Sequence, residues 1–240
     1  ILFMKKFIFV TGTRADFSKL EPLAKAALKN GYKVGFFVTG MHLLARYGLT
    51  KLEVERVEGV DIMEFINQRH GDGQEVILAK TISGFADYIK EYLPDVVVIH
   101  GDRIEAIGAA LVCAIEGVRT IHIEGGEVSG NIDEVYRHCN TKLCTTHFVS
   151  SKTARDRVIR LGENPDSVFI MGSPELDIHL QASGVKLEQV LNHYGIKWKD
   201  YGIAVFHPVT VETEKNRKQA AAFFQALEES GRYFIIISPN

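Results

Sequence analysis

Residues 96–138 read VVVIHGDRIEAIGAALVCAIEGVRTIHIEGGEVSGNIDEVYRH, and the fold follows from them. Val96, Val97, Val98 and Ile99 form a continuous β-branched run followed by helix-forming residues rather than a hairpin turn, as expected of a parallel strand buried on both faces. Residues 120–123 repeat the pattern one crossover later. His100, Gly101, Asp102 and Arg103 fall at the carboxyl end of the first strand; Glu124, Gly125, Gly126 and Glu127 fall at the end of the second. Ligands of open α/β sheets bind along that edge, so the two polar clusters form the candidate site.

Outward from this pair, a strand at 5–11 exits through Gly12–Asp16 into a helix expected from about Ser18 to Asn30. A second strand spans 33–39 and ends in Gly40, Met41 and His42. Residues 43–73 carry no clear period, apart from a short strand at 61–66. A helical pattern over 75–92 stops before Pro94, as pre-proline sterics require. Beyond the central pair come a helix at 134–143, a strand at 147–149 and a helix at 152–161, capped by Ser150 or Ser151 and closed by Gly162. A last strand covers 168–171. This alternation predicts an α/β fold, a doubly wound parallel sheet of Rossmann-like type with right-handed crossovers. The first domain is expected over 1–172 and a connecting segment with its own helix over 173–199. The start of a second Rossmann-like domain follows over 200–240. There, a strand at 203–206 leads into His207, Pro208, Val209 and Thr210, then a helix at 216–230 and a strand at 233–237. One βαβ unit cannot cover both faces of a sheet, so the second domain is expected to be incomplete.

Composition narrows the function classes. The chain has 240 residues, 46% hydrophobic and 24% charged, with 28 Lys plus Arg against 30 Asp plus Glu and no basic block, which argues against nucleic acid as a partner. No apolar run approaches the ~20 residues of a membrane span. The opening ILFMKKFIFV reads as a strand running into Thr11-Gly12 rather than a signal peptide, and a cytoplasmic location is expected. Cys113, Cys139 and Cys144 lack a CxxC pair and read as ordinary thiols of a reducing compartment. The loop TGTRAD has one glycine where dinucleotide sites have GxGxxG, and no GxxxxGK[ST] occurs, so neither a nicotinamide cofactor nor a P-loop nucleotide is expected.

Several residues in these loops suit chemistry, and each has a plainer alternative. Arg14, before a helix N-terminus, suits a phosphate or ties its loop to a carboxylate. If strand geometry persists, His100 and Asp102 share one face, as do His122 and Glu124, and the two strands aim acid–base groups into one pocket. Asp102 could instead pair with Arg103 or cap the next helix, and Asp133 could cap the helix that starts at Glu134. Glu124, after a buried strand and before two glycines, has an awkward environment unless it is used. His100 and His122 could be core histidines, Glu127 a solvent-facing carboxylate and Arg137 a surface ion pair. A second reading takes His100, Asp102, His122 and Glu124 as an N/O ligand set for a metal-dependent phosphohydrolase.

The segments TGTRADFSKL, VTGMH, HGDR, HIEGGEVSG, IDE with a following RH, TKL, GSPELD and HPVT, in this order and spacing, resemble the hydrolysing UDP-N-acetylglucosamine 2-epimerases of sialic acid biosynthesis. The epimerase half of the vertebrate bifunctional enzyme is similar. The resemblance spans 4–240 and implies two Rossmann-like domains in a GT-B-like architecture with the UDP-sugar between them. It also implies no cofactor or metal, a homo-oligomer (dimer or tetramer), and release of UDP and N-acetylmannosamine. By position it makes Asp102, Glu124 and Asp133 the catalytic carboxylates. His207 would assist them or contact the nucleotide, facing the first domain's strand ends. Arg14, Asp16, Ser18, His42, His100, Arg103, Glu127, Arg137 and His138 are expected around the substrate. HIEGGE beside HGDR favours N-acetylglucosamine over a 2,4-diacetamido sugar. A non-hydrolysing epimerase, a glycosyltransferase of the same architecture and an inactive fragment stand as alternatives. The pattern departs at Cys139-Asn140 and Cys144-Thr145-Thr146, and Asn140 puts a polar group where a helix should pack. The resembling enzymes complete the second domain, which implies weak turnover from these 240 residues alone.

Overall fold

A computed structural model describes residues 5–180, 184–207 and 213–237. The chain divides into two units, Ile1–Gln181 and Ala182–Asn240. In the first, seven parallel strands are ordered β3-β2-β1-β4-β5-β6-β7: β1 (Lys6–Thr11), β2 (Lys33–Val38), β3 (Asp61–Glu64), β4 (Val96–His100), β5 (Arg119–Ile123), β6 (Thr146–Val149) and β7 (Val168–Ile170). The strand order reverses between β1 and β4, which pair with Phe7 opposite Val96 and Phe9 opposite Val98. Ligands of doubly wound sheets bind outside the strand ends at such a reversal.

Each central strand feeds two cores because its side chains alternate. Ile8, Val10, Phe37, Val97 and Ile99 face helices α3 (Gln74–Tyr92) and α4 (Ile104–Glu116), which bring Phe85, Ile89, Ala109 and Ala110. Phe9, Phe36, Val98 and Ile123 face α1 (Arg14–Lys29) and the short α2 (Lys51–Val54), which bring Phe17, Leu20, Ala24 and Val54. Phe37 is fully buried, with its ring centroid 5.0 Å from that of Phe85 and 5.2 Å from that of Tyr88. Phe37→Ala is expected to cost about 3–5 kcal/mol, read as a lower urea midpoint with an unchanged slope. An unchanged midpoint would show that this aromatic cluster does not hold the sheet.

The helix of the first crossover starts at Arg14, four residues before the expected start. Thr13 caps it by accepting the Asp16 N–H, and Asp16 returns a carboxylate oxygen to the N–H groups of Thr13 and Gly12 at 3.0 and 3.1 Å. Downstream, Lys152–Arg160 (α6) is capped by Ser151 rather than Ser150. The first unit runs to Gln181, past the expected boundary at Gly172, and thus takes in α7 (Glu175–His179). Lys19 and Ser18 of α1 bind Glu175 at 2.9 and 3.2 Å, fastening α7 beside the site.

In the second unit, β8 (Gly202–Val205) and β9 (Phe234–Ile237) pair in parallel, with α8 (Leu187–His193) before them and α9 (Thr213–Glu229) between them. The helix expected in the connecting segment is thus two helices, one in each unit. Trp198 stacks on Tyr233 with ring centroids 4.5 Å apart. Among the described residues, no helix is long and apolar enough to cross a membrane.

Candidate functional site

The carboxyl ends of β1, β4 and β5 meet at His100. Its Nε2 lies 3.0 Å from Glu124 Oε2 and its Nδ1 lies 3.5 Å from Asp16 Oδ1. All three side chains are largely shielded, at 14%, 16% and 8% exposure. Lys19 closes the cluster, with Nζ 3.3 Å from Glu124, 2.9 Å from Glu175 and 2.7 Å from Ser173 Oγ. Burial pushes the His100 pKa down, but Asp16 close beside Nδ1, the hydrogen bond to Glu124 and the charges of both carboxylates raise it to about 9. Burial pushes Glu124 up, yet the His100 hydrogen bond, Ser173 and the charges of His100 and Lys19 bring it down to about 2. Desolvation likewise opposes the charge on Asp16, and His100, Arg103 and the Gly12 N–H outweigh it to leave the pKa lowered. Desolvating so many charges yields little stability, so such a cluster points to use.

Two residues along from His100, Asp102 lines a different space. A pocket of about 300 Å³ is walled by Asp102, Asp133, Tyr136, Arg46, Arg69 and His70, among others. Burial raises the Asp102 pKa, Arg137 opposes this, Asp133 adds to it, and the net result is a carboxyl above its ordinary range. The site therefore holds one carboxylate pushed up and one held down, the separation that acid–base work exploits.

The uninterrupted strand geometry expected beyond both clusters does not hold. Gly101 at φ +63° and Glu124 at φ +58° both leave extended geometry at the strand ends. In the register, His100 pairs with Ile123 and Ile99 with His122, so His100 and His122 lie on opposite faces. The turn at Glu124 swings its carboxylate to His100, away from His122. His122 is wholly buried, donates from Nε2 to Gly101 O at 2.8 Å and meets Thr141 Oγ1 at 3.2 Å through Nδ1. Burial lowers its pKa to about 3, leaving it neutral. The four-residue metal set is therefore not assembled, and among the described residues no group of three His, Cys, Asp or Glu could hold a metal.

The other candidates sort by location. His42 is fully buried between Thr11 Oγ1 at 2.9 Å and Thr50 Oγ1 at 2.7 Å, with burial lowering its pKa to about 4; it braces the loop after β2 rather than presenting a donor to a substrate. Arg14 is exposed and lies 3.7 Å from Glu53. Ser18 donates to Ala15 O at 2.9 Å and to Glu175. Arg103 lines the pocket and binds Glu105 at 3.3 Å rather than Asp102. Arg137, nearly buried, is no surface pair: it donates to Glu127 O at 3.1 Å, Ser129 Oγ at 2.7 Å and the Asp102 carboxylate, fixing that carboxylate in place. Glu127 accepts from Ser150 Oγ, and His138 lies 3.7 Å from Glu134. The cap of α5 (Ile132–Leu143) is Asn131, which accepts the Asp133 N–H at 3.1 Å; Asp133 is thereby left to face the pocket. His207 is exposed beyond β8, and Pro208, Val209 and Thr210 lie outside the described residues.

Lys19, Glu175 and Ser173 escaped the sequence reading although TGTRADFSKL and GSPELD contain them. A helix start placed at Ser18 hid the one-turn spacing that puts Asp16 and Lys19 on one helix face. Asn140 is wholly buried and only half satisfied, with no hydrogen-bond partner for its Oδ1 among the described residues. Its amide donates to Gly101 O at 3.1 Å beside His122, so two buried donors anchor the carbonyl that precedes Asp102.

The model of a family described as UDP-N-acetylglucosamine 2-epimerase matches residues 25–240. The chain is 41% identical over 239 residues to a UDP-N-acetylglucosamine 2-epimerase of Neisseria meningitidis serogroup B, covering 99% of this chain and 63% of that protein. It is 32% identical to a hydrolyzing UDP-N,N'-diacetylbacillosamine 2-epimerase of Legionella pneumophila, over 99% and 64% of the two chains. The polysialic acid biosynthesis protein P7 of Escherichia coli is 30% identical over 99% and 62%. Among solved structures, the UDP-GlcNAc 2-epimerase of Methanocaldococcus jannaschii in complex with UDP-GlcNAc and UDP superposes with a TM-score of 0.84 at 20% identity, over 98% of this chain and 66% of that one. At that identity the likeness shows the fold. The chain spans just under two thirds of the length of the relatives it matches.

Proposed function

The chain belongs to the UDP-N-acetylglucosamine 2-epimerase family, and from that membership we propose a hydrolysing 2-epimerase that converts UDP-N-acetylglucosamine and water to UDP and N-acetylmannosamine, for sialic acid synthesis. The observation that carries the reading is the set of oppositely tuned carboxylates at the sheet's reversal point: Asp102 raised beside Asp133, Glu124 lowered beside His100 and Lys19. In the proposed reaction a carboxylate takes the proton from sugar carbon 2 as the bond from carbon 1 to the UDP oxygen breaks. A carboxylic acid assists the departing diphosphate. Water then adds across the carbon 1–carbon 2 double bond, with its oxygen at carbon 1 and a proton returned to carbon 2 on the opposite face. Groups whose pKa values differ can divide these tasks. A homo-oligomer working in the cytoplasm, with His207 assisting, completes the proposal.

The test is incubation of the full-length polypeptide with UDP-N-acetylglucosamine in deuterated water, followed by proton NMR. Free UDP and N-acetylmannosamine bearing deuterium at carbon 2 are expected. A deuterated sugar still joined to UDP would replace the hydrolysing reading with a non-hydrolysing one. The Legionella relative favours one second reading, a hydrolysing 2-epimerase of the 2,4-diacetamido sugar nucleotide; faster release of UDP from that sugar would select it.

A further inference from the structure

His100 stands at the reversal point of the sheet with a carboxylate on each ring nitrogen, and no step of the proposed reaction uses it. Its partners are themselves fastened. Asp16 commits its Oδ2 to the N–H groups of Gly12 and Thr13 and turns Oδ1 to His100 Nδ1 at 3.5 Å. Glu124 Oε2 meets His100 Nε2 at 3.0 Å, while Oε1 meets Lys19 Nζ at 3.3 Å. The charged and titratable groups around the ring are Asp16 and Lys19 on α1, Asp102 and Arg103 on its own loop, His122 on β5, Glu124 after it, and Glu175 on α7 behind Lys19.

We propose that the line Asp16–His100–Glu124 is a positioning device, in which Asp16 keeps His100 doubly protonated and His100 in turn aims Glu124 and keeps it an anion. The arrangement fits no purely structural purpose well. A neutral imidazole could turn an N–H to only one of the two carboxylates, whereas the imidazolium donates to Glu124 at 3.0 Å and keeps a positive Nδ1–H beside Asp16 at 3.5 Å, an ion-pair contact longer than a good hydrogen bond. The cost of shielding three charges is met by placing one cation between two anions. Its consequence is local: the strand-end carboxylate cannot rotate to solvent or pick up a stray proton before substrate arrives. The catalytic part of this inference rests on the epimerase reading, but the protonation of His100 does not.

Two measurements separate those parts. In the first, histidine ring NMR on 15N-labelled protein is expected to show His100 protonated through neutral pH, with its midpoint near about 9. Asp16→Asn should move that midpoint down by at least ~1 unit, because an amide N–H facing Nδ1 favours the neutral ring. A wild-type midpoint near the ordinary histidine value, or no shift in Asp16→Asn, would overturn the proposal whatever the reaction is. In the second, His100→Gln keeps an N–H donor for Glu124 but removes the positive charge. The expected result is a kcat ~10–100-fold lower with KM changed less than ~3-fold, and an acid limb of kcat/KM displaced to higher pH. The sign follows from the charge: without the cation Glu124 holds its proton more tightly, so its anionic form is lost at a higher pH as acid is added. An unmoved acid limb in His100→Gln would also reject the proposal. Failure to release UDP from any sugar nucleotide would instead reject the epimerase reading and leave the NMR result standing.

Discussion

Glu124→Gln lowers turnover at least ~100-fold with the fold intact, and Asp133→Asn does the same, because each removes a proton acceptor without changing side-chain volume. Glutamine fits the space of Glu124 and still accepts one hydrogen bond from His100 or Lys19, so circular dichroism and the melting profile should stay near wild type. It cannot gain or lose a proton in the working range. Asp133 offers the cleaner comparison. Its backbone N–H donates to the Asn131 cap at 3.1 Å, and its carboxylate accepts from the Asn131 side-chain amide at 2.8 Å, a bond that an asparagine oxygen can also accept. An asparagine there leaves α5 capped while taking the second carboxylate from the pocket that Asp102 lines. The measurement is steady-state UDP release by the full-length polypeptide at saturating sugar nucleotide. Wild-type rates in both variants would remove the acid–base assignment, and the Asp102–Asp133 pocket would then be a binding surface alone.

The strands were legible because apolar β-branched runs bounded by turn residues have few alternatives, and 96–99 and 120–123 became β4 and β5 with one further residue each. The two polar clusters were legible as a site for the same reason, since an ionisable group directly after a buried run has nowhere else to be. Their mutual geometry was not legible. Period-two reasoning put Glu124 with His122, and a single left-handed residue at the strand end sent it to His100 instead. Such a φ is hard to foresee for a non-glycine, because its cost is offset by partners far away in sequence: His100 at the end of β4, Lys19 of α1 and Ser173 before α7. Arg137 and Asn140 show a related limit. One helix carries both inward, and their purpose, holding Asp102 and the carbonyl before it, appears only when α5 is laid against the Gly101 turn. Residues 43–73 stayed opaque because short helical turns and the four-residue β3 have too few repeats to show a period.

Gly126→Ala should be among the most damaging small substitutions in the first unit, costing at least ~3 kcal/mol, because it combines two penalties that, among the described glycines, Gly40 alone shares. Gly126 has φ +81°, where an alanine alone loses about 1–2 kcal/mol. A Cβ there would also press into the Ala154 carbonyl oxygen and stand 2.8 Å from Val158 Cγ2, so the obstruction is the first turns of α6 rather than a pliable side-chain tip. Ala154 and Val158 are fully buried and anchor their helix in the core with Val149 and Val168, so α6 cannot withdraw cheaply. Arg157 meanwhile donates to the Gly126 carbonyl and pins the loop from the other side. Gly130→Ala supplies the control. It has φ +69° with nothing within 4 Å of where the alanine methyl would sit, and should lose only the conformational part, about 1–2 kcal/mol. Urea unfolding of the two variants measures the difference directly. Equal midpoints would mean that α6 moves aside freely, and that the second glycine of HIEGGE serves conformation without close packing. A clearly lower midpoint for Gly126→Ala, with Glu124 function falling alongside, would tie the seating of this loop against α6 to the placement of the carboxylate two residues before it.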